Sequence, residues 1–225
     1  MKGKDKVRYV LGELGNHLPY SIFGVALGLV LMGLLTFFAI LLQSENALGR
    51  ASEELFHVFH PIHVLFSAVA STAMFWKHEK RIWKAAFVGV FGSVVICALS
   101  DIFFPFWGGL LLNVDMHLHI CVLEEPFLIL SFAAVGVLAG FLITTAIERS
   151  TEYSHSLHVF VSSVASILYL VSFGLNGWTD MIGGVFLITI VSVVIPCCVS
   201  DIVFPLFCLH RGCQHGEWPQ AGHKH

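Results

Sequence analysis

The peptide Ser100-Asp-Ile-Phe-Phe-Pro105 recurs one hundred residues later as Ser200-Asp-Ile-Val-Phe-Pro205. In both places a cysteine, Cys97 or Cys197, precedes the aspartate by four residues. Both peptides lie inside apolar runs, where an aspartate and a proline are costly and therefore uncommon. Their recurrence at matching positions indicates that the two halves of the chain descend from one duplicated unit.

Two other blocks recur in the same order along the chain. The first pair comprises Pro19 with Val30-Leu-Met-Gly33, and Pro126 with Val137-Leu-Ala-Gly140. The second pair comprises His60-Pro-Ile-His63 with Ser67-Ala-Val-Ala-Ser71, and His155-Ser-Leu-His158 with Ser162-Ser-Val-Ala-Ser166. Because each apolar run carries one such block, the sequence predicts an internal repeat of three elements.

The composition is that of a membrane protein. The 225 residues are 56% apolar and only 12% charged, with a mean hydropathy of +0.82, whereas soluble domains carry about 25% charged residues. Six apolar segments of about 20 to 25 residues are long enough to cross a bilayer core. They run roughly over residues 20–42, 57–76, 82–105, 127–147, 155–174 and 181–205. The sequence therefore predicts an all-α polytopic membrane protein with six transmembrane helices.

A repeat unit of three spans has an odd number of crossings, so the second copy must enter the membrane upside down. The predicted fold is thus two inverted-topology three-helix repeats, an arrangement common among transporters. The expected organisation is a basic N-terminus (1–19), a first repeat (20–105), an extracytoplasmic acidic and histidine-containing loop (106–126), a second repeat (127–205) and a Cys/His-rich tail (206–225).

Basic residues are distributed very unevenly between the predicted loops. With a cytoplasmic N-terminus, only Arg50 lies outside, and eleven others lie inside: Lys2, Lys4, Lys6, Arg8, Lys77, Lys80, Arg81, Lys84, Arg149, Arg211 and Lys224. By the positive-inside rule this split predicts cytoplasmic N- and C-termini in a plasma or inner membrane, and an even number of spans.

Histidine, cysteine and aspartate gather at the ends of the predicted hairpins. In an antiparallel hairpin the start of one helix lies level with the end of the next, so imidazole, thiol and carboxylate groups should converge in each half. Such a set suits Zn²⁺, Co²⁺, Ni²⁺ or Fe²⁺ better than Mg²⁺ or Ca²⁺. We expect a cluster of His60, His63, Cys97 and Asp101 near the outside and a cluster of His155, His158, Cys197 and Asp201 near the inside. His57 and Glu152 occupy equivalent positions at the starts of the two stripes and complete the predicted metal ligands.

Two polar segments could collect cations near the mouths, although a solvated loop and tail is an equally good interpretation. The candidate accessory ligands are Asp115, His117 and His119 in the loop, and Cys208, His210, Cys213 and His215 in the tail.

The function that these patterns favour is a permease for a divalent transition-metal cation, working by alternating access, rather than an enzyme. Its expected partners are the lipid bilayer and the metal cation, with no nucleic acid, and homo-oligomerisation is left open. The chain contains no H-E-x-x-H, Walker A or G-x-S-x-G motif. The alternatives are an intramembrane zinc-dependent hydrolase, a haem-binding electron-transfer protein and a non-transporting scaffold.

Overall fold

A computed structural model describes the backbone of residues 3–44, 47–143 and 151–198, and the side chains of residues 18–44, 47–76, 79–143 and 157–196. Within these ranges the regular structure is entirely helical. The helices are α1 (Gly3–Leu41), α2 (Leu48–His78), α3 (Ile82–Ala98), α4 (Phe104–Leu111), α5 (Cys121–Glu124), α6 (Pro126–Ile143), α7 (Thr151–Ser172) and α8 (Ile182–Cys198). A π-helical turn, Leu99–Phe103, joins α3 to α4, and a 3₁₀ turn, Trp178–Met181, precedes α8.

Five helical stretches are long and apolar enough to cross a membrane, and the chain is an integral membrane protein. They are Leu18–Leu41, Leu48–Trp76, Ile82–Leu111, Pro126–Ile143 and Trp178–Pro196. The apolar part of α7 within the described side chains, Leu157–Ser172, is shorter than these five.

Helices α2 and α7 form the centre of the bundle. α2 packs against α3, α6 and α7, while α1 packs against α7 and α8. Every side chain from residue 161 to residue 170 is buried. Ser162, Ser163 and Ser166 of α7 therefore face protein, as polar groups at membrane depth must.

Small residues allow α6 to approach α2 closely. A Cβ added to Gly136 would lie 2.5 Å from the carbonyl oxygen of Leu65, and a Cβ on Gly140 would lie 2.9 Å from that of Val69. Two glycines four residues apart line one face of a helix, and the missing side chains let the two backbones meet.

A second pair of glycines four residues apart plays the same part between α1 and α7. A Cβ on Gly24 would lie 3.4 Å from the Cα of Phe160, and a Cβ on Gly28 would lie 3.7 Å from the Cα of Val164. Each half of the chain thus contributes a glycine-bearing helix that packs on the central helix of the other half.

The helix that carries Asp101 continues past Pro105, which is the last residue of the apolar segment 82–105 delimited from the sequence. Proline lacks the N–H that an α-helix would use to bond the carbonyl four residues back. The π-helical turn accommodates it, with the Phe104 N–H donating to the Leu99 carbonyl, and the helix continues to Leu111. The connecting loop therefore begins after Leu111 rather than at residue 106.

The loop between α4 and α5 folds back over the end of α7. The side chain of Met116 packs against Gly109 and Gly174. A Cβ added to Gly109 would lie 2.5 Å from the Met116 sulfur atom, and a Cβ added to Gly174 would lie 2.7 Å from it. The next residue, His117, donates its backbone N–H to the Phe173 carbonyl at 2.8 Å. These contacts hold the following residues against the bundle.

Candidate functional site

α2 presents three histidines to the interior, one helical turn apart. His57, His60 and His63 follow at i, i+3 and i+6, so successive rings are displaced by about 4.5 Å along the axis. His60 and His63 are almost completely buried, and His57, nearest the start of the helix, is half-buried. The three rings form a ladder from the loop end of the bundle toward its middle.

The middle of the bundle holds a central cluster, which comprises His60, His63, Asp101 and His158. His60 Nδ1 and His63 Nδ1 donate to the same oxygen of Asp101, Oδ2, at 2.9 and 2.7 Å. The other oxygen, Oδ1, accepts from Ser100 Oγ at 2.7 Å and from Ser162 Oγ at 3.1 Å. The two oxygens of a carboxylate offer about four acceptor positions. Asp101 therefore orients the two histidines with its acceptor positions occupied.

The π-helical turn supports this placement of Asp101. The turn carries Ser100, whose carbonyl accepts from Ser166 Oγ of α7 at 3.1 Å. Ser100 Oγ also lies 3.1 Å from the carbonyl oxygen of Cys97 on α3. The carboxylate is consequently fixed by α2, by α7 and by its own helix. π-helical turns are often found at functional sites.

His63 and His158 meet across the boundary between the two halves of the chain. Their Nε2 atoms are 3.2 Å apart, and the ring centroids are 4.5 Å apart. Two imidazole nitrogens bound to one tetrahedral ion at 2.0–2.1 Å lie about 3.3 Å from each other. Because the Nδ1 atom of His63 donates to Asp101, its Nε2 atom carries a lone pair in the neutral ring.

A second group of ligands, the loop-side cluster, lies next to the start of α2. It comprises His57, His119, Cys121 and Glu124. One donor atom from each of His57, His119 and Cys121 lies within 4.8 Å of the other two, and the Nε2 atoms of the two histidines are 3.0 Å apart. Glu124 Oε1 accepts from His119 Nδ1 at 3.0 Å.

Aromatic side chains hold the imidazole of His119 in place. The ring stacks on Phe173 with centroids 4.7 Å apart and an interplanar angle of 10°. The backbone N–H of His119 donates to the hydroxyl of Tyr169 at 3.1 Å. Phe56 contacts His57 edge-on at 5.8 Å and stacks on His60 at 5.4 Å. The loop-side cluster thus packs against Phe56, Tyr169 and Phe173.

Burial governs the acid–base properties of the loop-side cluster. It raises the pKa of the Cys121 thiol to about 12, and the carboxylates of Asp101, Glu125 and Glu124 add to the rise. Burial also lowers the pKa of the His119 imidazole, against the opposing effect of the Glu124 carboxylate. Near neutral pH the Cys121 thiol is therefore protonated, and a cation bound to the sulfur would displace its proton.

The predicted ligands are arranged differently from the two separate clusters expected. His60, His63 and Asp101 lie together. His158, expected in the other cluster, lies against His63, because α2 and α7 pack side by side at the centre. Cys97 is buried in the apolar core. The contact described above joins its backbone carbonyl oxygen to Ser100 Oγ, which in turn donates to Asp101.

The remaining predicted ligands divide between the loop and the undescribed parts of the chain. Asp115 and His117 are exposed in the loop, and the His117 carbonyl accepts from the Tyr169 hydroxyl at 3.3 Å. The side chains of Glu152, His155 and Cys197, and the whole of Asp201, Cys208, His210, Cys213 and His215, lie outside the described residues.

Sequence reasoning missed Cys121. A signal was present in the spacing His119-Ile-Cys121, because an extended chain places every second side chain on the same side. His119 and Cys121 are buried together, and His117 is exposed.

Comparison of the chain with protein-family models, with curated proteins and with solved structures finds no match. What the two clusters can do chemically therefore rests on their own donor atoms and geometry.

Proposed function

We propose that the chain is a six-span permease for a divalent transition-metal cation, in which His63 and His158 together hold the ion at the junction of two inverted repeats. The observation that carries the proposal is the 3.2 Å separation of their Nε2 atoms, with the Nδ1 atom of His63 held by Asp101. Histidines that bind metals characteristically donate their other ring N–H to a carboxylate in this way.

The glycine contacts support the inverted repeat. Gly136 meets Leu65, and Gly24 meets Phe160; Leu65 and Phe160 have the same spacing in the chain, 95 residues, as His63 and His158. Val69 and Val164, which face the second glycine of each pair, share that spacing. Paired helices therefore make contacts of the same kind, although the glycines that make them are 112 residues apart and not the 107 that relate Gly33 to Gly140. Two equivalent histidines that touch belong on the axis relating the halves. α7 has 22 residues, which rise about 33 Å and suffice for a sixth span.

The charge of the central cluster favours a cation. Asp101 is completely buried, and its hydrogen-bond donors are two hydroxyl groups and two imidazoles. An isolated carboxylate is very costly at membrane depth. A divalent ion bound to the Nε2 atoms of His63 and His158 would offset this charge and would leave coordination positions open to water, as a site that must release its ion requires.

The nature of the ligands narrows the class of ion. Imidazole nitrogen suits Zn²⁺, Co²⁺, Ni²⁺ and Fe²⁺, while Mg²⁺ and Ca²⁺ prefer ligands that are all oxygen.

Transport by alternating access requires that water reach the central cluster from one face of the membrane and then from the other. In the proposed orientation the loop-side cluster faces the outside.

The two enzymatic or redox alternatives receive less support. A bis-histidine haem places its axial imidazoles on opposite faces of the macrocycle, whereas the paired rings here have centroids only 4.5 and 5.0 Å apart. A hydrolase needs one competent site, and a pair of equivalent histidines shared by two halves has no evident purpose in it.

Metal uptake by reconstituted protein tests the proposal. The full chain is incorporated into liposomes that contain a fluorescent Zn²⁺ indicator, and ZnCl₂ is added outside with a pH gradient of either sign. Wild-type protein should admit Zn²⁺ faster than protein-free liposomes, and His158→Ala should lower the initial rate at least tenfold. His117→Ala, which removes an exposed imidazole, is the matched control and should keep the wild-type rate. Uptake by His158→Ala at the wild-type rate would contradict the proposal, as would wild-type liposomes that admit Zn²⁺ no faster than protein-free liposomes.

A further inference from the structure

The loop-side cluster has the donor geometry of a metal site separate from the central one. His57 Nε2 and His119 Nε2 are 3.0 Å apart, and a donor atom of Cys121 completes a set whose members lie within 4.8 Å of one another. In a tetrahedral site with metal–nitrogen bonds of 2.0–2.1 Å and metal–sulfur bonds near 2.3 Å, donor atoms are about 3.3 to 3.6 Å apart. Small side-chain movements would therefore bring all three onto one ion.

The cluster is also organised around the ligands. Glu124 holds the Nδ1 atom of His119 at 3.0 Å, which leaves the Nε2 atom directed toward His57. The stacking of His119 on Phe173 restricts the ring further. His119 and Cys121 are only 8% and 1% exposed, so an ion bound there would be largely shielded from bulk water.

We infer that His57, His119 and Cys121 form a second metal site that selects thiophilic divalent cations such as Zn²⁺, Co²⁺ and Cd²⁺, with Glu124 as its positioning residue. Thiolate sulfur and imidazole nitrogen favour these ions, while Mg²⁺ and Ca²⁺ are disfavoured by the absence of oxygen ligands in the set. Three protein ligands leave a fourth position open to water or to the next ligand along a path.

The position of this site gives it a role in the proposed transport. His57 and His63 lie on the same helix six residues apart, which corresponds to about 9 Å along the axis, and His60 lies between them. An ion held at the loop-side cluster would be selected before it reached the central cluster. This role rests on the proposed function, whereas the binding site itself does not.

Cobalt spectroscopy tests the site directly, because a cobalt–thiolate bond gives a charge-transfer band in the near ultraviolet. The full chain in detergent is titrated with CoCl₂ in a background in which Cys197, Cys198, Cys208 and Cys213 are replaced by serine. This background retains Cys97 and Cys121. We expect the charge-transfer band together with the visible bands of tetrahedral Co²⁺.

Two cysteine variants identify the ligand. Cys121→Ser should remove the charge-transfer band, whereas Cys97→Ser, which changes the other buried cysteine, should preserve it. A band that disappears with Cys97→Ser and persists with Cys121→Ser would overturn the inference, as would the absence of any band from the background protein.

A surface substitution keeps the test valid even if Cys121→Ser fails to fold. Glu124→Ala removes an exposed carboxylate and should weaken Co²⁺ binding about 10–100-fold, as is typical when the partner of a metal-bound histidine is lost. Glu125→Ala, the neighbouring exposed carboxylate, is the control and should change the affinity less than twofold. Equal affinities for the two variants would contradict the role of Glu124. A normal cobalt band in protein that transports no metal would support this site and count against the permease.

Discussion

The Nε2 atom of His63 lies 3.2 Å from the Nε2 atom of His158, although the two residues are 95 positions apart in the chain. Each comes from the central helix of one half, α2 or α7. The rings meet at an interplanar angle of 67°, so both nitrogens can point at one ion. Asp101 fixes the far side of His63 at 2.7 Å. This relationship underlies the predictions that concern transport.

Replacing Asp101 by Asn should impair the central cluster without removing a ligand. The amide NH₂ group cannot accept a hydrogen bond, so some of the four donors now directed at the carboxylate lose their acceptor. We expect the KM for Zn²⁺ uptake to rise about 10–100-fold, and the apparent melting temperature to fall because hydrogen bonds to a buried charge contribute about 1.5–3 kcal/mol each. Asp115→Asn, in the exposed part of the loop, should leave both quantities unchanged. An Asp101→Asn protein with normal KM would remove Asp101 from the site.

Ser162 should matter more than its neighbour Ser163. Ser162 Oγ donates to Asp101 at 3.1 Å, whereas Ser163 Oγ donates to the Val159 carbonyl of its own helix at 2.8 Å. Both serines are completely buried. A difference between the two alanine variants therefore reports the hydrogen bond to Asp101 and not the loss of a buried hydroxyl group. Ser162→Ala should raise the KM for Zn²⁺ several-fold, since a typical hydrogen bond contributes about 1 kcal/mol. Ser163→Ala should not change it, and identical uptake curves for the two variants would argue against the network.

The close packing of α6 on α2 predicts a large effect of a single methyl group. The Cβ of Gly136→Ala would lie 2.5 Å from the Leu65 carbonyl oxygen and 2.7 Å from the Ala68 Cβ, so the helices would have to separate at a cost of about 1–3 kcal/mol. Gly33→Ala is the matched control, because its Cβ would meet nothing within 4 Å. Thermal unfolding followed by size-exclusion fluorescence should show loss of stability for Gly136→Ala alone. Equal stability of both variants would mean that the helices are not in close contact.

The alkylation rate of Cys121 should depend steeply on pH. With its pKa raised to about 12 by burial, only about 0.01% of the thiol is ionised at pH 8, against about a quarter for an unperturbed thiol. Iodoacetamide should therefore modify Cys121 about a thousandfold more slowly in folded, metal-free protein than in SDS-unfolded protein. The rate should rise about tenfold per pH unit between pH 8 and pH 10. Peptide mass spectrometry provides the measurement, and a rate that levels off near pH 9 would show an unperturbed thiol.

The antiparallel packing of two consecutive helices, which the sequence predicts, accounts for one part of the site. Since α2 and α3 are antiparallel neighbours, the histidine pair at the start of one had to lie level with the aspartate at the end of the other. Accordingly, the rings of His60 and His63 both donate to one carboxylate oxygen of Asp101. The helical character and the membrane location likewise follow from composition and segment length.

The rest depends on packing that periodicity does not encode. The contact of His158 with His63 requires α2 and α7 to lie side by side, whereas the glycines that could be recognised in the sequence bring α6 onto α2 and α1 onto α7. Cys121 joins His57 only because the loop is anchored through Met116 and His117. The continuation of the helix beyond Pro105 depends on a π-helical turn, and a proline in a sequence does not distinguish that turn from a helix end.

The most direct test of the shared ion is Zn²⁺ uptake by three variants in parallel: His63→Ala, His158→Ala and the double variant. If one ion is held by both rings, each single substitution removes the same site, so the losses should be strongly non-additive. We predict that each single variant loses at least tenfold in initial rate and that the double variant is no slower than the slower single one. An initial rate equal to the wild-type rate in either single variant would contradict a site shared between the two halves. So would a double variant whose loss of rate equals the product of the two single losses.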